Sequence, residues 1–82
     1  EIINDMLAAA IAKGGNIKPT HLMYKSNLSH ALMKEYLNEL ISKSLLEEHQ
    51  EKAGRYFQVT EKGRAFNREY KKMREFQKAF GL

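Results

Sequence analysis

No cysteine occurs among the 82 residues, which excludes disulfides and thiolate metal sites. A chain this short buries only about 60–65% of the surface its unfolded form exposes. With neither staple available, dimerisation is the usual remedy. No apolar run approaches the ~20 residues that cross a bilayer. The first residues also lack the basic-then-apolar order of a signal peptide. The expectation is a soluble, intracellular (cytoplasmic) protein with no membrane partner. Internal repeats and low-complexity linkers are absent as well.

Catalytic patterns are missing too. His21, His30 and His49 fall on different segments, without the His-Glu-x-x-His spacing that holds zinc on a helix. Gly14-Gly15 is not followed by Lys and Ser or Thr in phosphate-loop register, and no Gly-x-Ser-x-Gly elbow occurs. Glu47 and Glu48 are adjacent on an expected strand, so they point to opposite faces and cannot share acid–base work. The sequence offers no catalytic residue, metal site, cofactor motif or small-molecule ligand site. The expectation is a protein that is not an enzyme.

What is present is charge and periodicity. Fourteen Lys and Arg against ten Asp and Glu give +4, a balance compatible with a polyanionic partner. Residues 1–44 are net +1, residues 45–59 net −1, and residues 60–82 net +4. The excess sits on the C-terminal segment.

Residues 1–13 place Ile3, Met6, Leu7, Ala10 and Ile11 on one helical face, and Gly14-Gly15 ends that helix. Ile17-Lys18 leaves room for a very short extended piece. Pro19 suits the first turn of a second helix reaching Tyr24 or Lys25, with Leu22 and Met23 inward. After the polar break Lys25-Ser26-Asn27, Ser29 caps a third helix to about Lys43. Met33, Tyr36, Leu37, Leu40 and Ile41 lie along one of its faces. Leu45–Gln50 and Arg55–Val59 flank the loop Glu51-Lys52-Ala53-Gly54 and read as a β-hairpin. Thr60 then caps a final helix from Glu61 to about Phe80.

The order α, short β, α, α, β, β, long α is mainly α with a small β-hairpin. It is the plan of a winged helix-turn-helix with one helix added, here read as 1–60 for the winged-helix domain and 61–82 for a dimerisation helix packed on it. Leu22-Met23-Tyr24-Lys25-Ser26-Asn27-Leu28-Ser29 resembles the helix-turn-helix junction of small archaeal winged-helix DNA-binding proteins, among them the ten-kilodalton chromatin-associated proteins. Leu45-Leu46-Glu47 and Tyr56-Phe57-Gln58-Val59-Thr60-Glu61-Lys62-Gly63 resemble the same proteins' wing and its join to the last helix. The similarity covers nearly the whole chain. The Thr-Glu-Lys-Gly step is common among winged-helix regulators and speaks for the fold more than the subfamily. The resemblance implies a third helix in the DNA major groove and a last helix paired with its partner's as an antiparallel coiled coil. One departure is the final helix, which at ~20 residues and about 30 Å is shorter than the family's. Parallel and antiparallel dimers therefore both stay open.

The residues point the same way. With Met33, Leu37 and Leu40 inward, His30, Ala31, Lys34 and Asn38 share the opposite face. Ser29 and the adjoining helix N-terminus suit a phosphate. Lys34 can reach a phosphate or guanine, His30 a base acceptor, and Asn38 an adenine edge. Lys52 and Arg55 flank the hairpin tip and suit backbone or minor-groove contact, although Glu47, Glu48 and Glu51 make that hairpin acidic. In the last helix Phe66, Tyr70, Met73, Phe76 and Phe80 step by four, three, three and four, a broad apolar stripe. Phe66 and Tyr70 can pack on the domain itself. The later residues lie too far along the rod and call for a homodimer. Arg64, Arg68, Lys71, Lys72, Arg74 and Lys78 line the outer face. The function expected is a dimeric binder of double-stranded DNA, regulator or architectural protein. The alternative is a winged-helix protein–protein interaction module that never meets DNA.

Overall fold

Local capping sets each helix of the computed structural model, which describes residues 1–82. The Glu1 carboxylate accepts the amides of Ile3 and Asn4 and opens α1 (Ile2–Ala12). Gly14 and Gly15, both at positive φ, let the chain leave α1, and the Gly15 amide donates to the Ala10 carbonyl at 2.9 Å. β1 (Asn16–Ile17) follows, and Pro19 then starts α2 (Pro19–Ser26). Asn27, left-handed at φ 53°, ends α2 and donates its amide to the Met23 carbonyl. The Ser29 hydroxyl accepts the Leu32 amide at 3.2 Å and caps α3 (His30–Ser42). β2 (Leu46–Glu51), β3 (Gly54–Val59) and α4 (Glu61–Ala79) complete the chain.

The strands form one antiparallel sheet in the order β1-β3-β2. The extended piece after α1 is thus a sheet strand, pairing Ile17 with Phe57. The hairpin is tighter than the four-residue loop its sequence suggests. Glu51 pairs with Gly54, leaving only Lys52 and Ala53 in the turn. Gly54, at φ 124°, accepts a backbone that a side chain disfavours and so carries the strand to the bend itself.

Met6, Leu7 and Ala10 from α1, Leu22 from α2, and Met33, Leu37 and Leu40 from α3 meet Leu45, Leu46, Phe57 and Val59 in a single core. The inward faces are those that the three-and-four spacing indicates. Side chains of these types each contribute about 1.5–3 kcal/mol when fully buried, so the helical stack on the sheet is the main source of stability.

The start of α4 is fastened to this core by the Thr60-to-Gly63 step. The Thr60 hydroxyl donates to the Ser44 carbonyl at 2.6 Å and accepts the Gly63 amide at 2.9 Å. One turn on, the buried Asn67 amide donates to the buried Asn4 carbonyl oxygen at 2.8 Å, tying α4 to α1. Beyond it α4 runs clear of the body, which gives the molecule a long axis of 48 Å against 26 and 22 Å. Replacing the hydroxyl with a methyl in Thr60→Val is expected to lower stability by about 1–2 kcal/mol. A fall in the urea midpoint at unchanged m-value would register that loss.

Candidate nucleic-acid interface

α3 turns a polar strip outward because its apolar residues return every three or four positions. Met33, Leu37 and Leu40 are buried, while Ser29, His30, Ala31, Lys34 and Asn38 are all exposed. His30, Lys34 and Asn38, one turn apart, line a groove of about 210 Å³ between α3 and the hairpin. Glu48 and Arg55 form its opposite wall, with Met33, Leu37, Ile41 and Phe57 also lining it. Ala31 stands exposed outside this lining, farther around α3. At the helix start the Ser29 oxygen already accepts the Leu32 amide, which leaves its O–H free to donate to an anion.

The two hairpin cations behave differently. Lys52, in the turn, is exposed and has no ion-pair partner, as is true of Lys34 on α3. Arg55 faces α3, where its guanidinium donates to Glu48 at 3.1 Å and lies over the Phe57 ring at 5.4 Å. Part of its charge is thus spent on Glu48, which places a carboxylate in the groove. Sequence reasoning marked the hairpin as acidic but did not assign Glu48 to this wall. The signal was the cross-strand register, which only the two-residue turn fixes: His49 opposite Tyr56 sets Glu48 diagonal to Arg55.

His21, half-buried on α2, has an enclosed Nε2 without a hydrogen-bond partner. Burial, then the charges of Lys13 and Lys25, hold its pKa below the ordinary 6.5. Above pH 6.5 both folded and unfolded forms are neutral and the group contributes nothing. Below it the unfolded chain takes up a proton that the folded imidazole resists, so stability falls as pH drops until the folded ring also protonates. Urea midpoints measured from about pH 7.5 to 5 are expected to decline, and His21→Gln is expected to flatten part of that decline.

α4 divides in two. Phe66 and Tyr70 are half-buried and stacked with centroids 6.4 Å apart, and Phe66 packs against the core. Met73, Phe76 and Phe80 are 47%, 64% and 68% exposed, and the last two rings sit 4.9 Å apart. Tyr70 thus turns toward its own domain. The exposed apolar residues Met73, Phe76 and Phe80 follow one another in steps of three and four along one side of the helix.

The winged helix-turn-helix family model matches residues 1–78, essentially all of the helices and the sheet just described. The chain belongs to the winged helix-turn-helix family. In that family's terms α2 and α3 are the helix-turn-helix and the β2–β3 hairpin is the wing. No curated protein matches the sequence. Among solved structures it is similar to Sso10a-2, a DNA-binding protein from Sulfolobus solfataricus, with 22% identity and a TM-score of 0.76 over 98% of this chain and 84% of that one. It is also similar to a winged-helix DNA-binding protein from STIV, with 20% identity and a TM-score of 0.80 over 93% of this chain and 87% of that one. At such identities the likeness shows the winged-helix fold, with four helices and a three-stranded sheet.

Proposed function

We propose that this winged helix-turn-helix protein binds double-stranded DNA as a homodimer, with α3 in the major groove and the wing beside it. The observation that carries the reading is the open strip on α3. Ser29, His30, Ala31, Lys34 and Asn38 are all exposed, and His30, Lys34 and Asn38 line an open groove beside the wing. The two solved structures of similar fold are both described as DNA-binding proteins. Ser29, Lys34 and Lys52 supply phosphate contacts that fix the register. His30 and Asn38 present donors and acceptors to base edges, and Ala31 leaves room for close approach. Arg55, shared with Glu48, contributes after exchanging that carboxylate for a phosphate. Met73, Phe76 and Phe80, with Phe66 at the inner end, form the dimer seam, while Tyr70 steadies it from the domain side.

The net charge is modest and the reading strip short, which favours backbone contact with limited sequence discrimination. Titrating a random duplex at several salt concentrations tests this directly. About four to six phosphate contacts per protomer predict a slope near −4 to −5 in log K against log salt. Lys34→Glu is expected to weaken binding by about tenfold or more, whereas Arg74→Glu on the outer face of α4 has a smaller effect. Equal losses move the site to the rod. A salt-insensitive or absent interaction replaces the DNA reading with that of a protein-interaction module using the same strip. A specificity ratio of ~10³ or more for one sequence over random duplex marks a regulator, and a flat response an architectural protein.

A further inference from the structure

β2 is an edge strand. The sheet order β1-β3-β2 leaves one side of Leu46–Glu51 without a neighbour. The Val59 amide donates to the Gly15 carbonyl, and the Thr60 amide to the Leu45 carbonyl. Both fix the alternation of an antiparallel ladder. Glu47, His49 and Glu51 bond inward to β3, so the backbone groups of the exposed Glu48 and Gln50 point outward, unpaired, while Leu46, on the same side, is enclosed by the core. Folded proteins blunt such edges with charged side chains, proline or a bulge. β2 has no proline and an unbroken register from Leu46 to Glu51, and its charges are all acidic, so what protects it from other strands does not repel a basic one.

A groove of about 490 Å³ runs along this edge, lined by Ile41 and Ser44 at the end of α3 and by Leu46, Glu47, Glu48 and His49 of β2. A strand laid there finds the partly exposed Ile41 side chain beside the free backbone groups. The charge selects the occupant. In a chain of net +4, the three exposed strand glutamates Glu47, Glu48 and Glu51 all lie on β2. Nucleic acid is repelled from such an edge. A second copy of β2 is disfavoured too, because it sets glutamate against glutamate across the new ladder.

We propose that the free edge of β2 takes an extended basic segment of a partner protein as a fourth strand, with Lys or Arg alternating with apolar residues. The backbone ladder supplies affinity. The basic side chains meet Glu47 and Glu51 on the outer face, and an apolar one covers Ile41 on the other. The edge shares Ile41 and Glu48 with the groove beside the α3 strip, but Glu47 and Glu51 lie outside that groove, so the proposal does not require DNA binding.

The test uses the full chain labelled with 15N and an octapeptide alternating lysine and valine. Binding is expected to slow amide exchange at Glu48 and Gln50 by about tenfold or more, with little change at Glu47, His49 and Glu51, which are already paired. An octapeptide alternating lysine and proline carries the same charge but cannot complete the ladder, and it is expected not to bind. The double change Glu47→Lys and Glu51→Lys is expected to weaken the lysine–valine peptide by about tenfold or more. Equal binding of the proline peptide, protection outside the outward-facing set, or no binding of the valine peptide overturns the proposal.

Discussion

Gly63→Ala is expected to destabilise the protein by about 3 kcal/mol, a fall in melting temperature of about 15 °C for a domain of this size. Helix propensity alone predicts the reverse, since alanine in a helix interior is favoured over glycine by about 1 kcal/mol. Packing decides the sign. A Cβ at Gly63 collides with the Leu45 carbonyl oxygen and lies 2.9 Å from Val59 Cγ1. The oxygen is backbone, held by the Thr60 amide and hydroxyl, and cannot swing aside. The N-terminal turn of α4 must therefore lift from the sheet, loosening Thr60 with it. Gly14→Ala is the control. Nothing lies within 4 Å of its added Cβ, so only the strain of its left-handed backbone is expected, about 1–2 kcal/mol. Thermal unfolding of both variants separates the two causes, and a Gly63 variant as stable as the parent rejects the packing account.

Phe76→Asp is expected to turn a dimer into a monomer. Phe76 is 64% exposed on a helix that has left the domain behind, so the change leaves the core untouched. A dimer with two-fold symmetry loses the ring twice. Each loss removes about 1.5–3 kcal/mol of burial, which together raise the dissociation constant by ~10²- to 10⁴-fold. Two carboxylates brought into the seam add to the penalty. Sedimentation velocity reads the outcome, with circular dichroism checking that the fold persists. A parent chain that already sediments as a monomer at high concentration ends the dimer reading.

Local rules made most of the architecture legible. Three-and-four spacing identified the buried faces of α1 and α3. Ser29 and Thr60 marked helix starts because short hydroxyl side chains cap free amides. The same rules stop at long-range partners. Asn4 and Asn67 form a buried pair 63 positions apart, and nothing near either residue announces it, since a lone asparagine on a helix reads as surface. The engagement of Arg55 by Glu48 depends on hairpin register, and that on whether Glu51 and Gly54 belong to the turn or the strands. Four turn-prone residues hid a two-residue bend, and the positive φ of Gly54 settles it. Spacing placed Tyr70 on the apolar stripe and left open whether it packs on the domain, because periodicity does not say where the body of the domain ends; with α4 docked, Tyr70 is half-buried and stacked on Phe66. On α3 the outward strip needed only periodicity, whereas its groove needed the hairpin in place.

Because α4 is one unbroken helix, the turns clamped by Gly63 and Asn67 and the turns bearing Phe76 and Phe80 cannot swivel independently. In a symmetric pair, this rigid strut acts as a ruler that fixes both the separation and the relative heading of the two reading helices. One residue inserted between Asn67 and Met73 turns the far end by about 100° and advances it by about 1.5 Å. In the proposed dimer, the distance between the two duplex contacts is then set by the nineteen residues of this one helix.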